Sequence, residues 1–301
     1  MYVLITVGLS GGLGNQMFQF AFGRFLQIET GIELALDASD LFKPGQRNFA
    51  LSGFQLFNWA RIIRRTPLKY FVLLKIVKRL RRMNLSKGLW SRFGLIFEPF
   101  PLFVAFPKVE SLNKKEIYVA GCWQSELYFQ KHRNQILQDF SPKIMSKNAQ
   151  RWEEDIRKSC SESISIHVRR GDYVTNEAAN KAHGVLPLQY YKDSIELICR
   201  QTNEPSFYIF TDDVSWTETN LCSLLPKNKM VSGTKCTDLE ELILMSRCRH
   251  NIMANSSFSW WGAWLNQNPN KITTSPDPWF KLVNSDHTIP GSCIKIKTWL
   301  C

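Results

Sequence analysis

The sequence predicts an α/β protein built from two Rossmann-like domains that face a cleft. Three observations lead to this prediction. The chain has 301 residues, which is at the upper edge of what one hydrophobic core can organise. It begins with a strand, a glycine-rich turn, a helix and a strand, and a second alternation of strands and helices starts after residue 158. Such alternation is typical of parallel sheets covered by helices on both faces. We therefore expect domains over residues 1–158 and 159–301.

The first domain opens with a predicted βαβ unit. Apolar and β-branched runs indicate strands, a glycine-rich stretch indicates a tight turn, and the apolar run after it indicates a helix that Gly31 closes. The expected strand, turn, helix, strand and later strand cover residues 2–7, 8–14, 15–30, 32–36 and 117–123.

The second domain repeats the alternation. Its expected strands cover residues 163–168, 207–210, 251–254 and 271–274. The expected helices cover residues 188–200, 238–248 and 258–266. The tryptophans of the last helix are expected in the core rather than on a recognition surface.

The composition indicates a globular protein. It is 44% hydrophobic and 21% charged, which excludes the disordered, collagen-like and coiled-coil classes. No apolar run is long enough to cross a bilayer, and residues 1–9 lack the basic flank of a signal peptide. The eight cysteines include no C-x-x-C pair, so we expect reduced thiols in a cytosolic protein.

The positive charge is concentrated in one segment. The formal net charge is +12, and between Asp40 and Glu98 there are thirteen lysines and arginines and no acid. Within this basic insert, residues 61–92, the stretch 68–82 has the spacing of an amphipathic helix. Its expected apolar side carries Leu73, Ile76, Val77 and Leu80, and its expected basic side carries Lys75, Lys78, Arg79 and Arg82. A helix packed on the core, an anionic membrane surface, an anionic substrate and nucleic acid all remain open, and nucleic acid is disfavoured because aromatics do not interleave with the cations.

A basic motif follows the strand at 163–168. His167 and Arg169 share one face at the carboxyl end of this strand, where open α/β sheets bind ligands. An arginine fork there suits a diphosphate, Gly171 permits a tight turn, and Asp172 can hold the arginine. A surface salt-bridge cluster explains the same residues equally well.

Two further polar segments follow strands of the second domain. Asp212 and Asp213 could accept hydrogen bonds from a guanine, hold a divalent metal with phosphate, or cap the next helix. Asn255, Ser256 and Ser257 lie between a strand and a helix, where hydroxyls and free N–H groups form an anion site. The sequence contains no H-E-x-x-H, paired H-x-H or P-loop motif.

Four blocks of the sequence together resemble glycosyltransferase family 11, the α-1,2-fucosyltransferases, and especially bacterial enzymes of O-antigen assembly. The blocks, in the order of the family, are residues 11–19, 167–173, 210–213 and 255–265. The resemblance implies a GT-B type fold, with an acceptor-binding half followed by a half that binds GDP-β-L-fucose. It also implies transfer of fucose to a 2-hydroxyl, often of galactose, with inversion and without an obligatory metal.

The resemblance implies roles for individual residues. His167, Arg169 and Asp172 are its catalytic candidates, the first two contacting the donor diphosphate. Other implied substrate contacts are Gly14 and Asn15 across the cleft, Arg170, Tyr173, Asp212 or Asp213 on the guanine or ribose, Ser256 and Ser257 on phosphate, and Phe258. Asp172, Glu177 and His183 are alternatives for a general base.

The mechanism follows from the charge of the transition state. Fucosyl transfer breaks the bond to diphosphate early, so a cation at the leaving oxygen stabilises the transition state more than the ground state. Arg169 and the helix terminus at Ser256 and Ser257 are expected to supply this charge without Mg²⁺.

The expected partners are GDP-fucose and a galactose-terminated glycan, with a lipid-linked form as one candidate, and no nucleic acid. The expected location is the cytoplasm, with peripheral contact to the inner face of the cytoplasmic membrane through 61–92 as an option.

Two alternative functions compete with sugar transfer. An NAD-dependent oxidoreductase is suggested because residues 11–14 follow a strand and open a helix, and Asp37 comes 23 residues after Gly14. The glycines do not match G-x-G-x-x-G, however. A basic module that binds membranes or nucleic acid through 61–92 leaves both later motif blocks unexplained.

Overall fold

The computed structural model describes residues 4–80, 93–98, 116–159, 162–281 and 286–299, with the backbone alone for residues 78–80. The chain divides into two compact units, Met1–Ser141 and Pro142–Cys301. The division therefore falls before the boundary that the sequence predicts at residue 158. Helix Lys147–Lys158 belongs to the second unit because it packs against helix Asp238–Arg247 there.

The first unit is built on a parallel sheet. Within its described residues five strands pair in the order β3-β2-β1-β5-β4, all parallel. The strands β1 to β5 are Leu4–Gly8, Glu33–Asp37, Arg61–Ile63, Leu95–Phe97 and Ile117–Ala120. The helices α1 to α3 are Leu13–Thr30, Leu68–Leu80 and Arg133–Asp139.

Helix α1 confirms the predicted βαβ opening. Its apolar side chains, among them Met17, Phe20 and Phe22, are buried in the core of the unit. The helix ends at Gly31, which takes a left-handed conformation with φ 70° and donates its N–H to the carbonyl of Gln27. A glycine adopts this conformation without the penalty that a Cβ atom brings.

The second unit has the strand order of a dinucleotide-binding fold. Its six strands within the described residues are all parallel and run β8-β7-β6-β9-β10-β11. The strands β6 to β11 are Ser163–Val168, Ser206–Thr211, Asn228–Met230, His250–Ile252, Thr273–Asp277 and Ile294–Lys297. The helices α4 to α10 are Lys147–Lys158, Gly171–Thr175, Glu177–His183, Leu188–Cys199, Val214–Asn220, Asp238–Arg247 and Ser257–Leu265.

This order creates a switch point in the second sheet. The sheet grows in one direction from β6 through β7 and in the other through β9, so a crevice opens between β6 and β9 at their carboxyl ends, where open α/β sheets bind ligands. Every residue of β6 and β7 is buried, as expected for central strands covered on both faces.

The structure can be compared with three further expectations from the sequence, which concern the tryptophans, the cysteines and membrane-spanning helices. The side chains of Trp260, Trp261 and Trp264 are buried and pack on one another with ring centroids 4.9 to 6.0 Å apart, which confirms that they belong to the core. None of the six cysteines in the described part of the chain forms a disulfide, while Cys160 and Cys301 lie outside that part. Among the described helices, none has the length and apolar character needed to cross a bilayer.

A buried amide connects the loops at the edge of the first sheet. The Gln19 side chain accepts a hydrogen bond from the Ser10 N–H (2.9 Å) and donates to the carbonyl of Gly121 (3.1 Å) and to Ser10 Oγ (3.0 Å). The glutamines of the first motif block thus hold backbone segments together, and Gln16 does the same for Gly11 and Asn48.

We expect Gln19→Met to lower the free energy of unfolding by about 1 to 3 kcal/mol. The substitution keeps the volume but removes the three hydrogen bonds that the buried Gln19 amide forms with Ser10 and Gly121. Chemical denaturation checks this, with Gln46→Met as the control because Gln46 is exposed and surface changes usually stay within about 0.5 kcal/mol. A Gln19→Met protein as stable as the control would contradict the assignment.

Candidate active site

Three parallel strands bring the predicted site residues of the second unit to one edge. Strand β6 leads into Arg169, β7 leads into Asp212 and β9 leads towards Asn255. Because β6 pairs with both β7 and β9 in parallel, their carboxyl ends meet at the switch point. The blocks that the sequence analysis singled out in this unit therefore lie together.

Arg169 is held between two carboxylates. One terminal nitrogen lies 2.8 Å from Asp212 Oδ2, and the other donates to Asp172 Oδ1 at 2.6 Å. The Arg169 side chain is 25% exposed, and its Nε is buried without a hydrogen-bond partner in the described part of the chain. The guanidinium fork is thus fixed in orientation and still reachable from solvent.

Arg170 is held by the neighbouring strand. Its N–H donates to Asp212 Oδ1 (2.8 Å), its Nε donates to Asp213 Oδ2 (3.1 Å), and its guanidinium carbon lies 4.0 Å from the ring centroid of Trp216. Asp212 therefore bridges the two arginines. Gly171, which follows both arginines, leaves room for this carboxylate, because a Cβ atom there would lie 2.6 Å from Asp212 Oδ2 and would displace it.

Asp213 also caps a helix. Its Oδ1 accepts the N–H of Trp216 at 3.1 Å at the start of α8, so the capping interpretation holds for this acid. Both Asp212 and Asp213 are thus already engaged with guanidinium or backbone donors. Within the described residues, no three or more His, Cys, Asp or Glu side chains are grouped as a metal site would require.

His167 is buried and uncharged. Burial, reinforced by the nearby Arg169 guanidinium, lowers the pKa of His167 to about 3. Its ring centroid lies 5.5 Å from that of Phe258, and its Nδ1 is buried without a partner among the described residues. His167 can donate or accept a hydrogen bond through its unpaired ring nitrogen, but it carries no positive charge. The positive charge at this edge of the sheet comes from the arginines.

Tyr173 forms a platform beside Arg169. Its ring stacks on that of His183 with centroids 4.8 Å apart and planes 3° apart, and the Arg169 guanidinium carbon lies 5.5 Å from its centroid. The hydroxyl donates to the Asn255 carbonyl at 3.2 Å. Burial lowers the pKa of His183, so its imidazole is neutral at neutral pH.

Asn255 ties this platform to the third strand. Its Nδ2 donates to the carbonyls of His183 (2.8 Å) and Gly184 (3.1 Å), and its Oδ1 is buried without a partner in the described part of the chain. Sequence reasoning treated Asn255 as part of an anion site and missed this connection. The motif spacing gave no signal for it, because the contacts join residues about 70 positions apart.

The helix that follows Asn255 begins with a capped turn. Ser256 Oγ accepts the N–H of Phe258 at 3.3 Å, so this hydroxyl is used within the protein. Ser257 and Phe258 are partly exposed at the start of α10. The positive end of the helix dipole accordingly lies at the same edge of the sheet as the arginine pair.

The remaining predicted residues belong to other elements. Glu177 is exposed at the first position of α6. Gly14 and Asn15 belong to α1 of the first unit, where Asn15 Oδ1 accepts from Gln124 Nε2 at 2.9 Å.

The acid that suggested an oxidoreductase is not open to a cofactor. Asp37 is buried, and its carboxylate accepts the Tyr118 hydroxyl at 2.8 Å and the Ser39 N–H at 3.0 Å. A cofactor ribose would have to displace a buried tyrosine to reach it. The NAD-dependent alternative therefore loses its recognition residue.

Comparison with known proteins gives the relationships of the chain. Residues 103–281 match the model of glycosyl transferase family 11. An α-1,2-colitosyltransferase of Escherichia coli is 32% identical over 98% of this chain and 99% of that protein. The O-antigen biosynthesis glycosyltransferase WbnK of Escherichia coli is 33% identical over 96% and 99%. A galactoside 2-α-L-fucosyltransferase of Bos taurus, SEC1, is 27% identical over 44% of this chain and 38% of that protein.

We expect Arg169→Lys to lose at least about a hundredfold in kcat/KM, roughly 2.7 kcal/mol of transition-state stabilisation. A lysine keeps the charge but has one nitrogen, so it cannot span Asp172 and Asp212 and present a planar fork. Steady-state kinetics with saturating donor check this, with Arg200→Lys as the control because Arg200 forms an exposed pair with Glu196. Near-parent turnover in Arg169→Lys would falsify the role.

We expect Tyr173→Leu to weaken GDP binding by at least about tenfold, because the leucine removes the ring beside Arg169. Tyr173→Phe keeps the ring but loses the hydrogen bond to the Asn255 carbonyl, and we expect GDP binding to weaken about fivefold. Calorimetric titration with GDP measures both variants. Tyr190→Phe is the matched control, since the Tyr190 hydroxyl also donates to a backbone carbonyl, that of Met253. Parent-like GDP affinity in Tyr173→Leu would show that the platform does not position Arg169.

Proposed function

Because the chain belongs to glycosyl transferase family 11, we propose that it moves L-fucose from GDP-β-L-fucose to the 2-hydroxyl of a galactose-terminated glycan, with inversion, in O-antigen synthesis. The Escherichia coli relatives support the α-1,2 linkage and the O-antigen context by their names. The bovine relative supports fucose as the sugar and a galactoside as the acceptor. The observation on this chain that carries the proposal is the arginine pair at the switch point.

Colitose is the second candidate for the transferred sugar. It is the 3-deoxy counterpart of L-fucose, and one relative that matches nearly the full chain is named for it. The two donors differ by one hydroxyl far from the diphosphate, so the same arginine pair would serve both. A site that hydrogen-bonds the 3-hydroxyl would favour fucose strongly, since the analogue would leave a buried polar group unpaired.

We assign the diphosphate of the donor to Arg169 and to the start of α10. The guanidinium fork offers paired donors, and the N–H group of Ser257 lies at the positive end of a nine-residue helix. Asp212 and Asp213 hold the arginine pair, and either acid can also accept from the guanine or ribose through a remaining lone pair. The sequence predicts that these residues contact the donor. This role is still a proposal, and the contacts described above define the geometry that it requires.

The charge distribution supports a dissociative displacement. As the bond from the sugar to the diphosphate breaks, negative charge grows on the leaving oxygen, and Arg169 meets it without the reorganisation that water would need. The acceptor hydroxyl loses its proton late, as the new bond forms. We propose no resident cofactor and no obligatory metal for this step.

Asp172 is better placed to position Arg169 than to act as the base. In an inverting displacement the base and the leaving group lie on opposite faces of the sugar, and Asp172 is paired at 2.6 Å with the arginine assigned to the leaving group. His183 is neutral but stacked against Tyr173, and Glu177 is exposed. A base from this unit would therefore be His183 or Glu177, and a strongly dissociative transition state needs none.

The proposal also assigns the acceptor to the first unit. Such a division of labour between two α/β units is that of a GT-B enzyme, in which Gly14 and Asn15 would contribute to the substrate site. The location proposed for the enzyme is the cytoplasm, at the inner face of the cytoplasmic membrane, where a lipid-linked acceptor would be met.

The direct experiment offers GDP-fucose and GDP-colitose to the purified protein with a panel of oligosaccharides and detects products by mass. The expected product carries one deoxyhexose on a terminal galactose, in an α-1,2 linkage established by methylation analysis. A dideoxyhexose product formed at a higher kcat/KM would identify GDP-colitose as the donor and leave the assignment of the arginine pair unchanged. Absence of transfer from both donors to every galactose-terminated acceptor would contradict the proposed function.

Transfer is expected to survive EDTA with less than about a twofold loss. The positive charge at the leaving group comes from Arg169 and the helix terminus, and both nearby acids are paired with protein donors. The same assay, run with chelator and then with Mg²⁺ or Mn²⁺ restored, checks this. Full loss with recovery on adding a metal would reassign Asp212 and Asp213 as metal ligands.

A further inference from the structure

Helix α2 of the first unit turns inward a side that matches only part of the apolar face its spacing predicts. Tyr70 and Val77 are buried and pack with Leu95 and Tyr118 of the sheet, and Leu73 is half-buried beside them. Two members of the predicted apolar face, Leu73 and Val77, thus point into the unit. The side chains of Lys78, Arg79 and Leu80, and all of Arg82, lie outside the described residues.

The outward side of α2 carries an apolar stripe. Leu68, Phe71, Val72 and Ile76 are 76%, 42%, 46% and 40% exposed. Their spacing of three and four residues puts them on one side of the helix. Single exposed apolar residues are ordinary on a protein surface, but a row of four along one helix marks an interaction surface.

Cations accompany this stripe. The Lys75 ammonium lies 4.3 Å from the ring centroid of Phe71, and that of Lys69 lies 4.9 Å from the ring centroid of Tyr70. Among the described residues, neither lysine forms a salt bridge with a carboxylate, and the chain has no acid between Asp40 and Glu98. The surface therefore combines exposed apolar side chains with lysines that pair with no carboxylate of the described residues.

We propose that this surface, Leu68, Lys69, Phe71, Val72, Lys75 and Ile76, docks on an anionic lipid bilayer. A bilayer interface offers negative headgroups to the lysines and an apolar phase to the stripe, which is how amphipathic basic helices bind membranes. A second copy of the same surface would bring like charges together. A nucleic acid would pair with the lysines but would leave Leu68 and Ile76 facing water and phosphate.

The membrane contact is independent of the donor site. Helix α2 lies in the first unit, before the segment 103–281 that matches the family model, and the arginine pair lies in the second unit. Substitutions in the stripe should therefore change membrane binding and spare GDP affinity. Failure of one proposal would be distinguishable from failure of the other, because vesicle binding needs no donor or acceptor.

The experiment measures cosedimentation of the full chain with vesicles. One set contains phosphatidylcholine alone, and the other contains phosphatidylcholine mixed with phosphatidylglycerol. We expect the parent to bind the anionic vesicles and release them as salt rises. Phe71→Ser with Ile76→Ser should weaken binding at least about tenfold, and Lys69→Gln with Lys75→Gln should weaken it about twentyfold, since each cation near an anionic surface contributes about a fivefold factor.

Matched controls come from exposed residues of the second unit. Ile144→Ser removes an apolar side chain that is 83% exposed, and Lys147→Gln with Lys192→Gln removes two exposed cations. These controls should bind vesicles like the parent. Melting curves and GDP titrations establish that each variant is folded.

Three results would overturn the proposal. The first is a parent protein that does not sediment with anionic vesicles. The second is a folded Phe71→Ser, Ile76→Ser variant that binds them as well as the parent. The third is stronger binding to a DNA duplex than to vesicles, lost in the lysine variant and unchanged in the apolar variant, which would identify a nucleic-acid surface instead.

Discussion

The guanidinium of Arg169, held between Asp172 and Asp212, is the interaction on which the candidate site depends. Asp172 comes from the turn after β6, and Asp212 comes from the end of β7, so the ion pairs join two neighbouring strands at their carboxyl ends. Asp212 also accepts the backbone N–H of Arg170. One carboxylate thus sets the turn and orients the fork. Exposed ion pairs contribute little to stability, so the geometry matters here more than the energy.

The two histidines near this guanidinium carry no charge. His167 is neutral because burial and the arginine itself oppose its protonation, and His183 is kept neutral mainly by burial. The Tyr173 ring contacts both the His183 ring and the Arg169 guanidinium, and Asn255 bonds both the tyrosine hydroxyl and the His183 carbonyl. A developing negative charge would therefore meet the oriented guanidinium of Arg169 and a helix terminus, beside two histidines that stay neutral.

Much of this arrangement could be predicted from the sequence, and the exceptions have physical reasons. The limits of β6 could be predicted because isoleucines and a valine alternate with polar residues along it and a basic segment follows. The short strands β3, β4, β8 and β11 could not, because runs of three or four residues carry too little periodicity. The predicted apolar side of α2 is wrong in part, because apolar residues three and four positions apart form two overlapping stripes on this helix. Only the packing of Tyr70 and Val77 in the folded unit shows which stripe is buried. The link from Asn255 to His183 joins distant segments, which local patterns do not encode.

The central claim is that the arginine pair at the switch point receives the donor diphosphate. A crystal structure of the protein with bound GDP tests it most directly. We predict that the diphosphate oxygens lie within hydrogen-bond distance of the Arg169 guanidinium and of the Ser257 N–H. A diphosphate bound elsewhere on the unit, or one bridged to Asp212 and Asp213 by a divalent cation, would contradict this account.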